Sequence, residues 1–470
     1  MEFHEYLEYD AVGLSALIRA GHVTAHEVET VARQALALAN ESLNALAAPL
    51  FPTALRHAAG APFTGVPFLI KDAGPMAEGI GFHLGSRALG PGVPAGRDSD
   101  LMRRFRAAGL ATLGLTTMPE LGIAFTTEPV RTGPTRNPWN LAHSAGGSSG
   151  GAAALVAAGA VPAAHASDGA GSIRVPASCC GLVGLMPTRG RVGCEPMFGL
   201  SHDFVLTRTV RDAAHLLDAL SGTVPGARFA PPAPARPYRS ELRADPVRLR
   251  VAVTTEAARG TDPEVAAATD RAARTLEEQG HHVERDRPPA DPEEIVTALV
   301  APQIAFLTGV FAHAPRPPDP ALLEAVSRRV FEEGAVLRAL DLVAAFEAQE
   351  RLCRMAGAFF GRYDLLLTPT LARPPVPLGV LRYDDPSYSV AGWVRELLEY
   401  GPFTALYNIT GQPAISLPLG RDSAGLPIGV QAVAPYGRED LLIQVASLLT
   451  PPPAERYSPG LWPWARRKAR

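Results

Sequence analysis

The stretches His143-Ser144-Ala145-Gly146-Gly147-Ser148-Ser149-Gly150-Gly151 and Ser167-Asp168-Gly169-Ala170-Gly171-Ser172-Ile173-Arg174-Val175-Pro176 decide how this chain is read. Each is a glycine-serine run that opens toward small or apolar residues. The first leads into Ala152–Ala158, predicted as a helix of small residues; the second follows the apolar stretch Ala160–Ala164. Glycine permits positive φ and lets a ligand or a second chain come close. A serine on such a turn at a helix start has bare N–H groups beside it, and these bind a developing negative oxygen. Ser148 and Ser172 stand 24 residues apart and are candidates for nucleophilic acyl chemistry. Taken alone, each run is also the composition of a turn or flexible loop. The G-x-S-x-G pattern of Gly146–Gly150 is itself a weak signal. A third residue sharpens the reading.

Of the 44 basic residues only two, Lys71 and Lys468, are lysine. Lys468 falls in the basic tail Arg466–Arg470. Lys71 closes the apolar run Gly65-Val-Pro-Phe-Leu-Ile70, which reads as a buried strand. Arginine stays charged under all ordinary conditions, whereas a desolvated ammonium can lose its proton. A lysine kept at a strand end, in a chain that otherwise uses arginine, points to a titratable amine; the structural alternative is an ion pair with Asp72.

The 470 residues, 47% of them hydrophobic and with a formal charge of −3, describe an ordinary globular protein. That balance argues against nucleic-acid or anionic-membrane partners, which call for a basic patch. Met1–Asp10 is acidic without an apolar centre, so no signal peptide is expected and the cytoplasm is the expected compartment. No stretch is expected to reach the roughly 18 apolar residues of a membrane span; the longest candidate, 152–166, is interrupted by Pro162. The spacing of Cys179, Cys180, Cys194 and Cys353 is not a zinc pattern, and the adjacent pair is read as packed small side chains. His281 and His282 follow a helix end, where a cation is favoured, and are not read as metal ligands.

Asp10 and Thr24 are predicted helix caps, Thr24–Glu27 as a capping box opening a helix to about Asn40. A strand to Lys71, a helix over Leu101–Gly109 and a strand over Ala111–Thr116 give the alternation of a wound α/β sheet. Arg131–Ala145 reads as a loop delivering the chain to the first serine run. A helix over Arg211–Leu220 precedes a proline-rich crossing, 221–246, the best candidate for an internal boundary. Beyond it come a strand over Arg248–Thr254, a helix capped by Asp262, and a strand starting at His282. Residues 289–360 are predicted mostly helical with a proline break at 315–320. A buried strand over Asp364–Leu367, a hairpin of Pro413–Leu419 with Ile428–Ala434, and a closing helix over Leu441–Leu449 complete the chain.

Ser172 needs a base within hydrogen-bond reach before it can attack a carbonyl. His165, seven residues upstream on the preceding strand, has no evident reason to meet it. Lys71, neutral through burial, serves instead if Ser148 relays the proton, since a hydroxyl donates and accepts at once. The N–H groups of Gly169, Ala170, Gly171 and Ser172 then form an oxyanion hole, at about 3 kcal/mol per donor in such sites.

These segments resemble the amidase signature family. The likeness rests on GGSSGG, on the 24-residue spacing to a G-S-I-R-x-P-A segment, and on the strand ending Lys71-Asp72. It extends to Asn137-Pro-Trp-Asn140, Arg208–Asp212 and Gly411–Pro418. The resemblance implies one α/β domain over 1–470, a mixed central sheet covered by helices. It implies amide hydrolysis of a small-molecule substrate through a Ser–cis-Ser–Lys triad without metal or cofactor. Carried over, Ser172 is the nucleophile, Ser148 the bridge behind a cis Gly147–Ser148 peptide, and Lys71 the base. Ser149 supports the bridge, and Asp168 pairs with Arg174 to brace the nucleophile loop. The chain departs from the family pattern at Ala170, where glycine is usual but the donor N–H survives, and at Met186, where lysine is common. Asp168–Ser172 and Pro435–Asp440 look most like the branch containing aminohexanoate cyclic-dimer hydrolase, which implies a small linear or cyclic amide.

Four other readings compete. The glutaminase subunit of a tRNA-dependent amidotransferase shares these motifs and would need partner subunits. An α/β-hydrolase esterase would put Ser148 on a nucleophile elbow, which requires a strong strand before it and leaves Lys71 idle. A binding member without activity is disfavoured by three filled triad positions. A pyridoxal Schiff base on Lys71 ignores both serine runs. The acyl pocket is expected near Phe125, Phe198 and the 295–345 helices.

Overall fold

The computed structural model describes residues 1–193, 196–312 and 318–450. Cys194, the basic tail with Lys468, and residues 313–317 at the proline break lie outside them. Its centre is a ten-stranded mixed sheet. Numbered along the chain, the strands are β1 (Val66–Lys71), β2 (Leu110–Thr116), β3 (Ala163–Asp168), β4 (Val183–Met186) and β5 (His202–Thr207). They continue as β6 (Arg250–Val253), β7 (His282–Arg285), β8 (Leu365–Pro369), β9 (Ala414–Arg421) and β10 (Pro427–Val433). The order across the sheet is β7-β6-β8-β10-β9-β4-β5-β3-β1-β2. Strands from both sides of the 221–246 crossing thus share one sheet, and the crossing itself carries a 3₁₀ turn over Tyr238–Arg243.

The predicted elements recur with small boundary shifts. Asp10, Thr24, Ser99 and Asp262 accept backbone N–H groups as helix caps, and Thr24 closes its capping box with Glu27. The Thr24 helix runs on to Leu43, three residues beyond the expected end. Arg131–Ala145 is not only loop: Arg136–Asn137 and Asn140–Ser144 pair as a small antiparallel hairpin outside the central sheet. The four strand residues before Ser144 are mostly exposed and carry no apolar alternation, so periodicity has nothing to detect.

One expectation is corrected. The helix Pro292–Ala312 is long and apolar enough to cross a membrane by length and composition, with a mean hydropathy of 2.0 in its best window. Pro302 and Gln303 break the apolar run in the sequence, which hid its length. Half of that window is buried inside the protein, where Ile295, Leu299, Ile304 and Phe311 pack into the core. A core helix of this kind has the composition of a span.

The site is placed by the parallel part of the sheet. β1 pairs in parallel with both β2 and β3, so Lys71, Thr116 and Asp168 emerge at the same sheet edge. Carboxyl ends of parallel strands are where open α/β sheets gather their sites. The first serine run turns at this edge into the helix Gly150–Ala157, every residue of which is buried. Gly147 is required by space: a Cβ there would lie 2.4 Å from the Thr126 carbonyl oxygen. The second run leaves β3 and enters the buried helix Arg174–Cys180. Between these two helices Asn137 donates to the carbonyls of Ser144 and Cys179, and the Trp139 indole donates to that of Cys180. The Asn-Pro-Trp-Asn segment therefore ties one serine run to the other. Cys179 and Cys180 are fully buried, as small hydrophobes would be.

Candidate active site

Lys71 ends β1 with 1% of its surface exposed. Its Nζ lies 2.6 Å from Ser148 Oγ, 2.9 Å from Ser167 Oγ and 3.1 Å from Ser149 Oγ. Among the described residues no carboxylate touches the amine. The alternative partner Asp72 turns away and accepts the N–H groups of His83 and Gly85. Burial pulls the Lys71 amine down to about 7, against the opposing pull of the Asp203 and Asp168 carboxylates. A neutral amine has two N–H donors and one lone pair, so of its three hydroxyl neighbours two accept and one donates. The shortest contact, with Ser148, suits the hydroxyl that donates.

The Gly147–Ser148 peptide is cis. Ser149 Oγ donates to the Ser167 carbonyl and accepts the Ser167 N–H, which locks the first run onto β3. Ser167 itself, in direct contact with the amine, was not among the residues singled out from the sequence. It occupies a position in the second run that looks like spacer.

Ser172 lines the same cavity as Lys71 and Ser148. No hydrogen bond joins its hydroxyl to that of Ser148 among the described residues, so the structure closes the first link of the expected chain and leaves the second open. Among the described residues, the N–H groups of Gly169, Ala170, Gly171 and Ser172 meet no protein acceptor. The next two, of Ile173 and Arg174, are taken by Asp168 Oδ2. Ala170 keeps an ordinary negative φ, so the missing glycine brings no strain there.

Asp168 and Arg174 form a fully buried two-bond pair, with Nε and Nη2 each 2.9 Å from a carboxylate oxygen. Arg174 also donates to the Thr404 carbonyl, Gln431 and Asn408, and Asn408 donates back to Asp168. Burial pushes the Asp168 carboxyl up, but the Arg174 charge and these hydrogen bonds outweigh it and hold the group at about 2. The pair anchors the Asp168–Arg174 loop to segments 230 or more residues away in sequence.

His165 does reach the site, though not Ser172. Its Nδ1 accepts the backbone N–H of Lys71 at 3.3 Å, so the neutral ring carries its proton on Nε2, which lies 3.0 Å from Asp203 Oδ1. Burial lowers the pKa of this ring.

The cavity holds about 330 Å³. Its walls are largely apolar: Met118, Leu121 and Phe125 on one side, Leu299, Phe306 and Leu307 on another, Val394 and Leu397 closing it. The sequence reading placed Phe125 and the first of the helices correctly. Phe198 is instead outside, 41% exposed and packed edge-on to Phe346, while Met197 takes the cavity position. The wall from helix Val390–Tyr400 was missed, because its apolar face looks like any core helix. Among the described residues no group of three His, Cys, Asp or Glu side chains is arranged to hold a metal.

A nucleophile elbow at Ser148 would require a sheet strand immediately before it. The preceding strand lies in the small hairpin, and the side chain meets a lysine rather than a histidine.

The mixed sheet covered by helices agrees with what comparison shows. The family model described as Amidase matches residues 28–443, and the chain belongs to this family of amide hydrolases. A 6-aminohexanoate-cyclic-dimer hydrolase of Paenarthrobacter ureafaciens is 38% identical, with 98% of this chain and 96% of the relative covered. The solved structure of a 6-aminohexanoate cyclic dimer hydrolase complexed with substrate superposes with a TM-score of 0.89 at 36% identity, covering 98% of both chains. A bacterial aryl acylamidase belonging to the amidase signature enzymes superposes at 0.81 and 25% identity, covering 97% of this chain and 98% of the other.

Proposed function

We propose that the chain hydrolyses the C–N bond of a small neutral amide, linear or cyclic, through an acyl-enzyme on Ser172. The contact between the Lys71 amine and the Ser148 hydroxyl, in surroundings that leave the amine able to lose its proton, carries the reading. The Ser172 Oγ attacks the carbonyl carbon. Its proton passes to Ser148 Oγ, and the Ser148 proton passes to Lys71 Nζ. The carbonyl oxygen becomes an oxyanion facing the free N–H groups of residues 169–172. Collapse of the adduct breaks the C–N bond while the proton returns through Ser148 to the leaving nitrogen. Water then attacks the ester by the same route, and the acid leaves. Catalytic hydrogen bonds often tighten only around substrate, and the Ser148–Ser172 link is expected to close in that way.

The apolar walls favour an uncharged hydrocarbon acyl part. The cyclic amide in the names of two relatives is a compact neutral molecule of this kind. Labelling with a fluorophosphonate, then mapping the modified peptide, tests the reading. The label is expected on Ser172, with Ser172→Ala unlabelled and inactive on an amide panel. A label on Ser148 that persists in Ser172→Ala would refute it.

A further inference from the structure

Lys71 gains a proton during acylation, and a buried ammonium among hydroxyls alone is costly. Two carboxylates act on it, Asp203 and Asp168. Asp168 is already matched by the Arg174 guanidinium and by Asn408. Asp203 is not: its one hydrogen-bonded partner is the neutral imidazole of His165, and no lysine or arginine pairs with it among the described residues. Arg97 and Arg103 line a neighbouring pocket with Asp203, but Arg103 is paired to Asp100 and neither forms an ion pair with Asp203, whose carboxylate also lies at the wall of the cavity it shares with Lys71.

Sheet register makes this arrangement. β3 and β5 run antiparallel with Ser167 opposite Asp203 and His165 opposite Val205. His165 and Asp203 are thus diagonal neighbours on one face, within reach of long side chains. The Phe105 ring packs edge-on to the imidazole at 5.7 Å and helps to hold it in place. Gly74 keeps the corner open: a Cβ there would lie 3.1 Å from His165 Cε1 and 3.3 Å from Asp203 Oδ1, on a backbone with φ of +89°.

Resting on the reading of Lys71 as the base, we propose that Asp203, held by His165, is the counter-charge for the Lys71 ammonium formed in each acyl transfer. It is a positioning residue: it acts across the cleft and through the His165 ring that binds the lysine backbone, and it need not touch substrate. The other charged groups around Lys71 are spoken for. Asp72, the next residue in the chain, is turned to His83. From β3 come His165 and the Arg174-bound Asp168. From β5, beside Asp203, comes His202, whose burial holds it down to about 3 and so uncharged. From β2 the nearest side chain is the hydroxyl of Thr116.

The test is the pH profile of kcat/KM on a neutral amide, for Asp203→Asn and Asp203→Glu. Loss of the negative charge makes the ammonium harder to form, so the amine is free at lower pH. Asp203→Asn is therefore expected to move the acid limb down by about one pH unit and to lower the plateau, because the weaker base drives proton transfer less well. Asp203→Glu keeps the charge and is expected to keep the limb in place. Should Asp203→Asn fail to fold, Asp203→Ser still offers an oxygen toward Nε2–H and gives the same reading. A limb unmoved in the folded neutral variants overturns the proposal, whatever happens to the rate. Lys71→Ala separates the two readings. Ordinary turnover there would overturn the base assignment itself, whereas a dead Lys71→Ala with an unmoved Asp203→Asn limb overturns the counter-charge alone.

Discussion

Lowering the pH from 8 to 6 should switch the proposed enzyme off by a calculable amount. Burial sets the Lys71 amine at about 7. The amine is active only without its proton, so the competent fraction is ~0.9 at pH 8, ~0.5 at pH 7 and ~0.1 at pH 6. The sign follows from the chemistry: activity rises with pH through 7 and then levels off. Acylation is expected to fall about ninefold over the interval, equivalent to about 1.3 kcal/mol in the barrier. Besides Lys71 and the serines, Asp203 is the one ionisable side chain among the described residues lining the cavity. The measurement is kcat/KM for release of product from an uncharged amide, paired with the rate of fluorophosphonate labelling of Ser172. The label reports the base without the later steps. A flat profile between pH 6 and 8, or one that falls as pH rises, would refute the reasoning.

Replacing Lys71 by arginine should silence turnover as fully as replacing it by alanine, because a guanidinium keeps its proton; product release from Lys71→Arg at more than a trace contradicts this. Arg174→Ala strands the fully buried Asp168 carboxylate. The expected cost is about 3–5 kcal/mol, seen as a fall of about 4 °C in Tm for a chain of this size; an unchanged Tm would show that the pair braces nothing. Asp168 itself contributes stability that is intact above its ordinary value of 3.8 and lost as pH falls toward about 2, so thermal scans in that acid range should steepen their decline relative to Asp168→Asn. Gly147→Ala forces a Cβ against the Thr126 carbonyl and should destabilise by about 1–3 kcal/mol while reducing labelling of Ser172.

Much of the machinery was legible because it is local. Lys71 stands out by residue type in a chain with 42 arginines, and both serine runs carry their backbone demands in their glycines. The Asp168–Arg174 pair is six residues apart and on one turn. What escaped notice depends on register. Asp203 sits 38 residues beyond His165, and nothing between them announces that β5 will run antiparallel to β3 with these two side chains on one face. Ser167 was invisible for a different reason: in a run already rich in serine, its contact with the amine depends on where β1 ends. Helix Val390–Tyr400 and helix Pro292–Ala312 read as core, which they are; that one face of each also walls the cavity is decided by tertiary packing alone.

The groups proposed to react come from residues 71–172, on strand ends and the turns that follow them, whereas much of the apolar wall comes from positions 299–310 and 394–398. These two sets hang on separate scaffolding. Drift or directed replacement in the distal helices can therefore retailor which acyl part is admitted while the proton-handling apparatus stays as it is, and a library confined to those eight wall positions is the economical way to change what such a hydrolase accepts.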